Sequence, residues 1–216
     1  MIAVMHASHM NPRVKNVTDI LEARGVPYVI YGLDNRWRGF AQKLMTARTA
    51  ACALTDHHYI LFIDAHDVIV LAGVEALVRR FEAQGHPWVC AAEPNIWPPN
   101  SFRPEEYPPS SSPWRYLNSG CYMAEREYMV ECFARWEPIE YGVDDQQWLA
   151  DKYINDPGSI KLDTGCHLFQ CLIGGWEHFT IHGDTFYNEM TMTAPLVLHH
   201  NGGGDISEER LRPLWP

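Results

Sequence analysis

The chain has 216 residues, of which 46% are hydrophobic, and its formal net charge is −10, from 27 acidic and 17 basic side chains. This composition excludes a disordered or fibrous protein, and the acidic charge disfavours wrapping of a nucleic-acid backbone, which depends on Lys and Arg. No apolar run reaches the ~18 residues that a membrane helix needs, so no membrane partner is expected. No basic segment precedes the first apolar residues, so we expect no signal peptide and a cytoplasmic location.

The first 93 residues alternate short apolar runs with segments of helical periodicity. The predicted strands are 2–5, 27–33, 59–64 and 87–93, and the predicted helices are 12–24, 39–54 and 73–83. Strands separated by helices of this length predict an α/β fold, with a mostly parallel, Rossmann-like central sheet flanked by helices. Ligands bind beyond the carboxyl ends of such strands, which directs attention to residues 5–8, including Met5 and Ala7, and to 33–37 and 64–67.

The pattern changes after residue 93. Residues 94–116 carry seven prolines and no helical period, which predicts a functional loop such as a lid or substrate wall, with a plain linker as the alternative. Further along the chain we expect a strand at 116–124, a helix at 126–136, a short helix after Asp144, and strands at 160–163, 166–172 and 196–200.

A DxxD sequence follows the most apolar of the predicted strands. Asp64 and Asp67 stand where YILFID ends, in the order D-A-H-D. Two oxygen ligands at this edge, with positions left open for substrate, suit Mg²⁺ or Mn²⁺ bridging a diphosphate. The alternative is that Asp64 caps a following helix and Asp67 is solvated.

The segment LVLHHNGGG (196–204) ends a second apolar run in polar groups. An imidazole from His199 or His200 would complete a metal site, and Asn201 and Gly202 would let the backbone approach a phosphate. A flexible turn with incidental histidines is the alternative.

Two further polar blocks lie between these segments. In YGVDDQQW, Asp144 and Asp145 either favour the N-terminal dipole of a helix or place a carboxylate against an acceptor hydroxyl. In LNSG, Asn118, Ser119 and Gly120 offer small polar groups at a strand, as the wall of a sugar site would.

Six ordered blocks together resemble one family. They are FIDAHDVIVLAG, AAEPNIWPP, YLNSGCYMA, VDDQQW, LDTGCHLFQ and LVLHHNGGG. The chain resembles the glycosyltransferase domain of the procollagen lysyl hydroxylases and related collagen glycosyltransferases. The resemblance implies a single GT-A domain over 1–216, with a nucleotide-binding half (1–93) and an acceptor-binding and catalytic half (94–216).

The resemblance also implies roles for individual residues. Asp64, Asp67 and His199 fall on the Mn²⁺ ligands, with Mg²⁺ as the alternative ion. The donor UDP-sugar would be bound by the positions that match the family's donor segments or follow the strand ends, which are Met5, Ala7, Trp37, Lys43, His66, Asn118, Ser119, Gly120, Asn201 and Gly202. Asp144 and Asp145 fall on the block implicated in catalysis.

The function that the resemblance implies is transfer of glucose or galactose from a UDP-sugar to a hydroxyl acceptor on a glycan, a protein side chain or a modified nucleobase. Without a hydroxylase region, a stand-alone microbial or viral enzyme is expected, and a viral one would be made in a host cytoplasm. The alternatives are a phage-type glucosyltransferase for hydroxymethylated DNA, a nucleotide-diphosphate-sugar hydrolase, and a silent sugar-nucleotide-binding module.

Overall fold

The computed structural model describes residues 1–136 and 138–215. Its strands are β1 (Ile2–His6), β2 (Tyr28–Tyr31), β3 (Tyr59–Ile63), β4 (Val68–Val70), β5 (Trp88–Glu93), β6 (Tyr116–Glu125), β7 (Lys161–Leu162), β8 (Phe169–Cys171), β9 (Phe179–His182), β10 (Thr185–Asn188) and β11 (Val197–His199). Its α-helices are α1 (Pro12–Ala23), α2 (Ala41–Ala53), α3 (Val74–Glu82), α4 (Arg126–Arg135) and α5 (Asp145–Asn155).

A six-stranded sheet forms the centre of the fold, in the order β2-β1-β3-β6-β5-β7. β1 pairs in parallel with β2 and β3, and β5 pairs in parallel with β7, while β6 is antiparallel to both β3 and β5. The predicted α/β class and mostly parallel sheet are therefore confirmed. The insertion of an antiparallel β6 between β3 and β5 was not predicted, because the strand pattern carries no pairing direction.

A second sheet of three short strands, β4-β11-β8, lies against the carboxyl end of the central sheet. β11 is antiparallel to β4, with His199 opposite Val68, and parallel to β8. Because β4 directly follows the DxxD segment, this pairing brings residues near 64–67 and 199 together across the chain. The sequence did not predict β4, whose three residues follow the DxxD segment without a turn signal.

The proline-rich loop 94–116 is packed against the domain and contains a single 3₁₀ turn, Pro104–Glu106. Trp114 is buried and donates its indole N–H to the Cys171 carbonyl at 3.0 Å. The Arg115 guanidinium donates to the carbonyls of Pro104, Tyr107 and Pro108. These contacts hold the loop beside the carboxyl end of β5. In the described part of the chain, no helix combines the length and apolar character that crossing a bilayer requires.

Candidate active site

Two carboxylates and an imidazole meet where β3 and β11 end. One ligand atom from each of Asp64, Asp67 and His199 lies within 4.8 Å of the others. His199 Nε2 is 3.6 Å from Asp64 Oδ2 and 3.4 Å from Asp67 Oδ1. The sequence left open which histidine faces the carboxylates, and the structure places His199 there. His200 points away, with its Nδ1 3.3 Å from the Asp205 carbonyl.

Asn118 fixes the orientation of the His199 ring. Its Oδ1 lies 2.9 Å from His199 Nδ1 and accepts from the Gly120 backbone N–H at 3.0 Å, while its Nδ2 donates to Glu93. The amide is therefore oriented with its oxygen toward the imidazole, so Nδ1 carries the proton and donates. Nε2 then faces the two carboxylates, which is how an outer hydrogen bond orients a metal-binding histidine.

Gly120 allows this close approach. A Cβ built at this position would overlap the His199 ring and lie 2.8 Å from Asp64 Oδ2. The absence of a side chain here is therefore a steric requirement of the three-ligand cluster. The glycine of the LNSG block, Gly120, is therefore needed so that His199 and Asp64 can lie against the backbone of β6.

Glu93 connects the elements that surround the cluster. Its Oε1 accepts from Asn118 Nδ2 at 2.9 Å and Gln146 Nε2 at 2.7 Å, and its Oε2 accepts from Asn201 Nδ2 at 3.1 Å. Burial raises the pKa of Glu93, although these hydrogen bonds oppose the shift. Glu93 was not among the site residues predicted from the sequence. The signal was a carboxylate at the end of the buried strand WVCAAE, at the same edge as the DxxD segment.

Lys43 extends from α2 into the acidic cluster. Its Nζ lies 2.6 Å from Asp64 Oδ1 and 2.9 Å from Asp145 Oδ2. Burial alone would lower the pKa of Lys43, but the carboxylates of Asp145 and Asp64 raise it well above its ordinary value. The ammonium group is therefore charged and neutralises part of the cluster.

Burial and charge also act on the three candidate ligands. Burial raises the pKa of Asp64. Burial would also raise the pKa of Asp67, but the positive charge of His199 outweighs it and leaves that pKa lowered. Burial opposes protonation of His199, yet the Asp67 and Asp64 carboxylates raise its pKa above the ordinary value. The carboxylates therefore favour the protonated, positively charged form of the His199 imidazole beside them.

The two predicted catalytic carboxylates occupy different environments. Asp144 caps α5, accepting from the backbone N–H groups of Gln146 and Gln147 at 3.0 Å, and burial raises its pKa. Asp145 is 4% exposed and forms the ion pair with Lys43. The sequence prediction of a helix after Asp144 is confirmed, and both carboxylates border the same cavity.

The cluster lies in a cavity of about 700 Å³. The sequence-predicted residues that line it are Lys43, Asp64, Asp67, Asn118, Ser119, Gly120, Asp144, Asp145, His199, Asn201 and Gly202. The proline-rich loop adds Trp97, which is 55% exposed, and the role of this loop as a substrate wall stays a prediction. Phe40, from the segment before α2, faces the same space.

Four predicted donor-binding residues lie outside the lining of this cavity. Met5, in β1, and Ala7, in the turn that follows β1, are both buried in the hydrophobic core. Trp37 packs edge-on against Phe40, which itself lines the cavity. His66 Nε2 lies 3.2 Å from the Asn11 side-chain amide at the start of α1. Their predicted contacts with a nucleotide remain predictions.

The donor set fits the Mn²⁺ ion that the sequence predicts. Asp67 Oδ1 is buried and has no hydrogen-bond partner among the described residues, which leaves a lone pair facing the cluster. Two carboxylates suit Mg²⁺ and Mn²⁺ alike, whereas an imidazole ligand favours Mn²⁺, because Mg²⁺ prefers oxygen. The residues present therefore fit Mn²⁺ better than Mg²⁺.

The sequence is similar to those of several known proteins. It is 29% identical over 208 residues to an uncharacterized protein of Acanthamoeba polyphaga mimivirus, covering 90% of this chain and 44% of that protein. It is 27% identical over 190 residues to the human multifunctional procollagen lysine hydroxylase and glycosyltransferase LH3, covering 79% of this chain and 25% of that protein. The chain thus spans less than half the length of these relatives.

A solved structure shares the fold. A glycosyltransferase involved in the glycosylation of the major capsid of PBCV-1 superposes with a TM-score of 0.54 at 12% identity, covering 94% of this chain and 95% of that one. At this identity the likeness concerns the fold alone. The family model described as the PLOD GT domain matches residues 1–212. The chain therefore belongs to the family of PLOD glycosyltransferase domains.

Proposed function

We propose that this chain is a metal-dependent glycosyltransferase that moves a hexose, glucose or galactose, from a UDP-sugar to a hydroxyl acceptor. The observation that supports it best is the Asp64–Asp67–His199 cluster inside a cavity large enough for a sugar nucleotide's reacting end. Membership of the PLOD GT domain family supports the reaction class. The human relative's name includes a glycosyltransferase activity, which we extend to this chain as part of the proposal.

The proposed metal is Mn²⁺, held by Asp64, Asp67 and His199. When bound there it would supply positive charge for the diphosphate that leaves the sugar. Lys43 Nζ already lies 2.6 Å from Asp64 and would add a second positive charge beside the same group. Asn118 holds the imidazole in the tautomer that leaves Nε2 free to coordinate.

Asp144 is the better candidate for contact with the acceptor hydroxyl. Its carboxylate borders the cavity, and burial raises its pKa above the ordinary value, which favours its acceptance of a proton. Asp145 forms an ion pair with Lys43, so we propose that Asp145 positions the Lys43 ammonium group and does not contact the acceptor. A base is required only if the sugar configuration inverts, and the proposal for Asp144 applies to that case.

Calorimetric titration of UDP into chelator-treated protein, with and without Mn²⁺, tests the donor site. We expect UDP binding that requires Mn²⁺ in the wild type and is lost in Asp67→Asn, which keeps the shape of the side chain but removes its charge. Asp151→Asn, at a position on α5 outside the cavity, is the matched control and should bind as the wild type does. Metal-independent UDP binding, or unchanged binding in Asp67→Asn, would contradict the metal assignment.

Product analysis separates transfer from its alternatives. A transferase supplied with UDP-glucose or UDP-galactose releases UDP, whereas a nucleotide-diphosphate-sugar hydrolase releases UMP and sugar phosphate. A silent binding module binds the donor without consuming it. Screening glycan, peptide and hydroxymethylated DNA acceptors then identifies which of these three classes is the acceptor.

A further inference from the structure

A groove lies along the free edge of the central sheet, beside β7, and we call it the β7 groove. Its volume is about 500 Å³. Its walls are Pro108 and Pro109 of the proline-rich loop, Tyr153 and Ile154 of α5, and the turn at Gly158. The acidic cavity lies at the other end of α5, about 14 Å away along the helix axis. The proposed transfer reaction therefore assigns the β7 groove no role.

The backbone of β7 presents hydrogen-bonding groups to this groove. β7 is the last strand of the sheet, and among the described strands it pairs with β5 alone. The Asp163 N–H donates to the Cys90 carbonyl of β5 at 2.9 Å. Because the backbone groups of successive strand residues point to opposite edges, the N–H and C=O of Leu162 point away from β5. Leu162 lines the groove, so its donor and acceptor face a ligand there.

The open part of this edge is short. At one end, Ser112 Oγ of the proline-rich loop donates to the Thr164 carbonyl and covers it. At the other end lies the turn at Gly158, whose carbonyl is 3.0 Å from His86 Nε2. Residues 160–162 lie between these contacts. This stretch has room for one extended segment but not for the edge of another sheet.

The groove carries an excess of positive charge. Arg115 and Lys161 line it, and neither forms an ion pair within residues 1–136 and 138–215. Arg115 donates to loop carbonyls and Lys161 Nζ donates to the Gln84 carbonyl, so neutral partners hold both charges in place. Glu106 is the one carboxylate of the described lining, and it lies 3.6 Å from the Arg103 guanidinium. In a chain of net charge −10, this local charge favours an acidic partner.

We propose that the β7 groove docks an extended, acidic segment of a partner protein, which adds to the outer edge of β7 as a short strand. Backbone hydrogen bonds to Leu162 supply the pairing, and carboxylates of the segment face Arg115 and Lys161. A nucleic acid matches the charge of the groove but lacks backbone amides at strand spacing. The docked partner lies beside the acidic cavity without entering it, because α5 separates the two spaces.

Fluorescence anisotropy with synthetic peptides tests the docking mode. The probe is a capped, labelled eight-residue peptide of alternating Glu and Val, and its control alternates Lys and Val. We expect saturable binding of the Glu–Val peptide and none of the Lys–Val peptide. No saturable binding of the Glu–Val peptide, or equal binding of both peptides, would overturn the proposal.

N-methylation of the Glu–Val peptide tests strand addition without changing the protein. Methyl groups on alternate amides block hydrogen bonding along one edge of an extended peptide. Since only one edge of a docked strand meets β7, one set of alternate methyl groups should weaken binding about fivefold or more, and the other set should not. Equal effects from the two sets would contradict strand addition.

A substitution in the groove tests the charge contact. Lys161→Gln should weaken binding of the Glu–Val peptide about threefold or more, because one favourable charge contact is lost. Lys15→Gln removes the same charge from the exposed face of α1 and should bind as the wild type does. Arg115 is left unchanged because it holds the loop in place. Equal affinities of the two variants would contradict the predicted contact.

Two further measurements locate the peptide. The ring resonances of His86, in the groove, should shift on peptide addition, while those of His9, which follows β1 four strands away, should not. Saturating UDP and Mn²⁺ should leave the peptide affinity unchanged, and displacement of the peptide would place it in the acidic cavity and overturn the proposal. Because the peptide titration uses neither metal nor UDP, its failure leaves the proposed transfer reaction intact, and the reverse also holds.

Sedimentation of the protein alone tests a second copy of the chain as the occupant. We expect a sedimentation coefficient that does not change with protein concentration in the range used for the titrations. A dimer that the Glu–Val peptide dissociates would make a second copy the occupant of the groove and overturn the proposed partner.

Discussion

Lys43 Nζ lies 2.6 Å from Asp64 Oδ1, on the carboxylate whose other oxygen faces His199. The ammonium group also contacts Asp145, so it connects the candidate metal ligands with the start of α5. The side chains of Lys43 and Asp145 are largely buried and that of Asp64 is 25% exposed, so an unpaired charge here is costly. Lys43 thus acts as the counter-ion of the acidic cavity when no cation is bound.

Replacing this counter-ion should destabilise the metal-free protein. For Lys43→Met we expect the free energy of unfolding in chelator to fall by about 3–5 kcal/mol, because two carboxylates lose their partner. Mn²⁺ should restore part of the loss, so it should stabilise the variant more than the wild type. Urea denaturation with chelator and with Mn²⁺ measures both quantities.

Lys15→Met is the matched control, because Lys15 pairs with Asp19 on the exposed face of α1. An exposed pair contributes only about 0–1 kcal/mol, so this variant should lose little stability and respond to Mn²⁺ as the wild type does. If the free energy of unfolding falls no further in Lys43→Met than in Lys15→Met, the buried ion pairs of Lys43 do not stabilise the fold as expected.

The two adjacent histidines should differ in their effect on metal binding. His199→Gln removes the imidazole that faces Asp64 and Asp67, so the rise in melting temperature caused by Mn²⁺ should disappear. His200→Gln should retain that rise, because His200 faces the segment after residue 204. Thermal denaturation with and without Mn²⁺ checks both variants. Retention of the effect in His199→Gln together with its loss in His200→Gln would reverse the ligand assignment.

The adjacent aspartates should separate turnover from stability. Asp144→Asn keeps a good helix cap, so we expect normal folding and about 100-fold or greater loss of kcat if the carboxylate acts as a base. Asp145→Asn breaks the pair with Lys43 and should mainly lower stability. Steady-state rates and urea denaturation are compared for both variants. Wild-type turnover in both would remove this block from the mechanism.

Glu93 should give the folded protein a distinctive dependence on pH. Burial raises the pKa of Glu93 above its ordinary value of 4.5, so the folded chain keeps this proton to a higher pH than the unfolded chain. Its protonation therefore stabilises the fold fully below that ordinary value, and the stabilisation is lost as pH rises through the folded-state pKa. Relative to Glu93→Gln, which does not titrate, the wild type should become less stable with rising pH.

Urea denaturation of wild type and Glu93→Gln across the acidic to neutral range measures that difference. Glu105→Gln, at an exposed position of the proline-rich loop, controls for loss of one carboxylate. A stability difference that stays constant, or that moves in favour of the wild type as pH rises, would contradict the burial argument.

Much of the site followed from the sequence because strand ends meet at one edge of a parallel sheet. Asp64 and Asp67 could be placed there from an apolar strand alone, and the family resemblance added His199. The same rule applies to Glu93, because this carboxylate is the last residue of β5 and follows an apolar run, as Asp64 follows β3. The predicted contacts of Trp37 and His66 depend on side-chain direction, which strand and helix periods do not determine.

Some elements of the fold had no clear sequence signal. The hairpin β9–β10 pairs Phe179–His182 with Thr185–Asn188 around Gly183, and its apolar residues are interspersed with polar ones, so it lacks the continuous apolar run by which other strands were recognised. The position of β6 within the sheet depends on tertiary pairing. Helices and buried strands were predicted to within a few residues because their periodicity is local.

The three-residue pairing of β11 with β4 sets the geometry of the whole cluster. Since successive side chains of a strand alternate between faces, a slip of one residue would turn His199 away from the carboxylates and replace it with a neighbour. The β9–β10 hairpin forms a separate sheet, so a change in the length of its turn should leave the positions of Asp64, Asp67 and His199 unchanged. A single insertion or deletion within 197–199 would instead move His199 away from Asp64 and Asp67. Evolutionary changes in length should therefore concentrate in the β9–β10 hairpin and avoid β11.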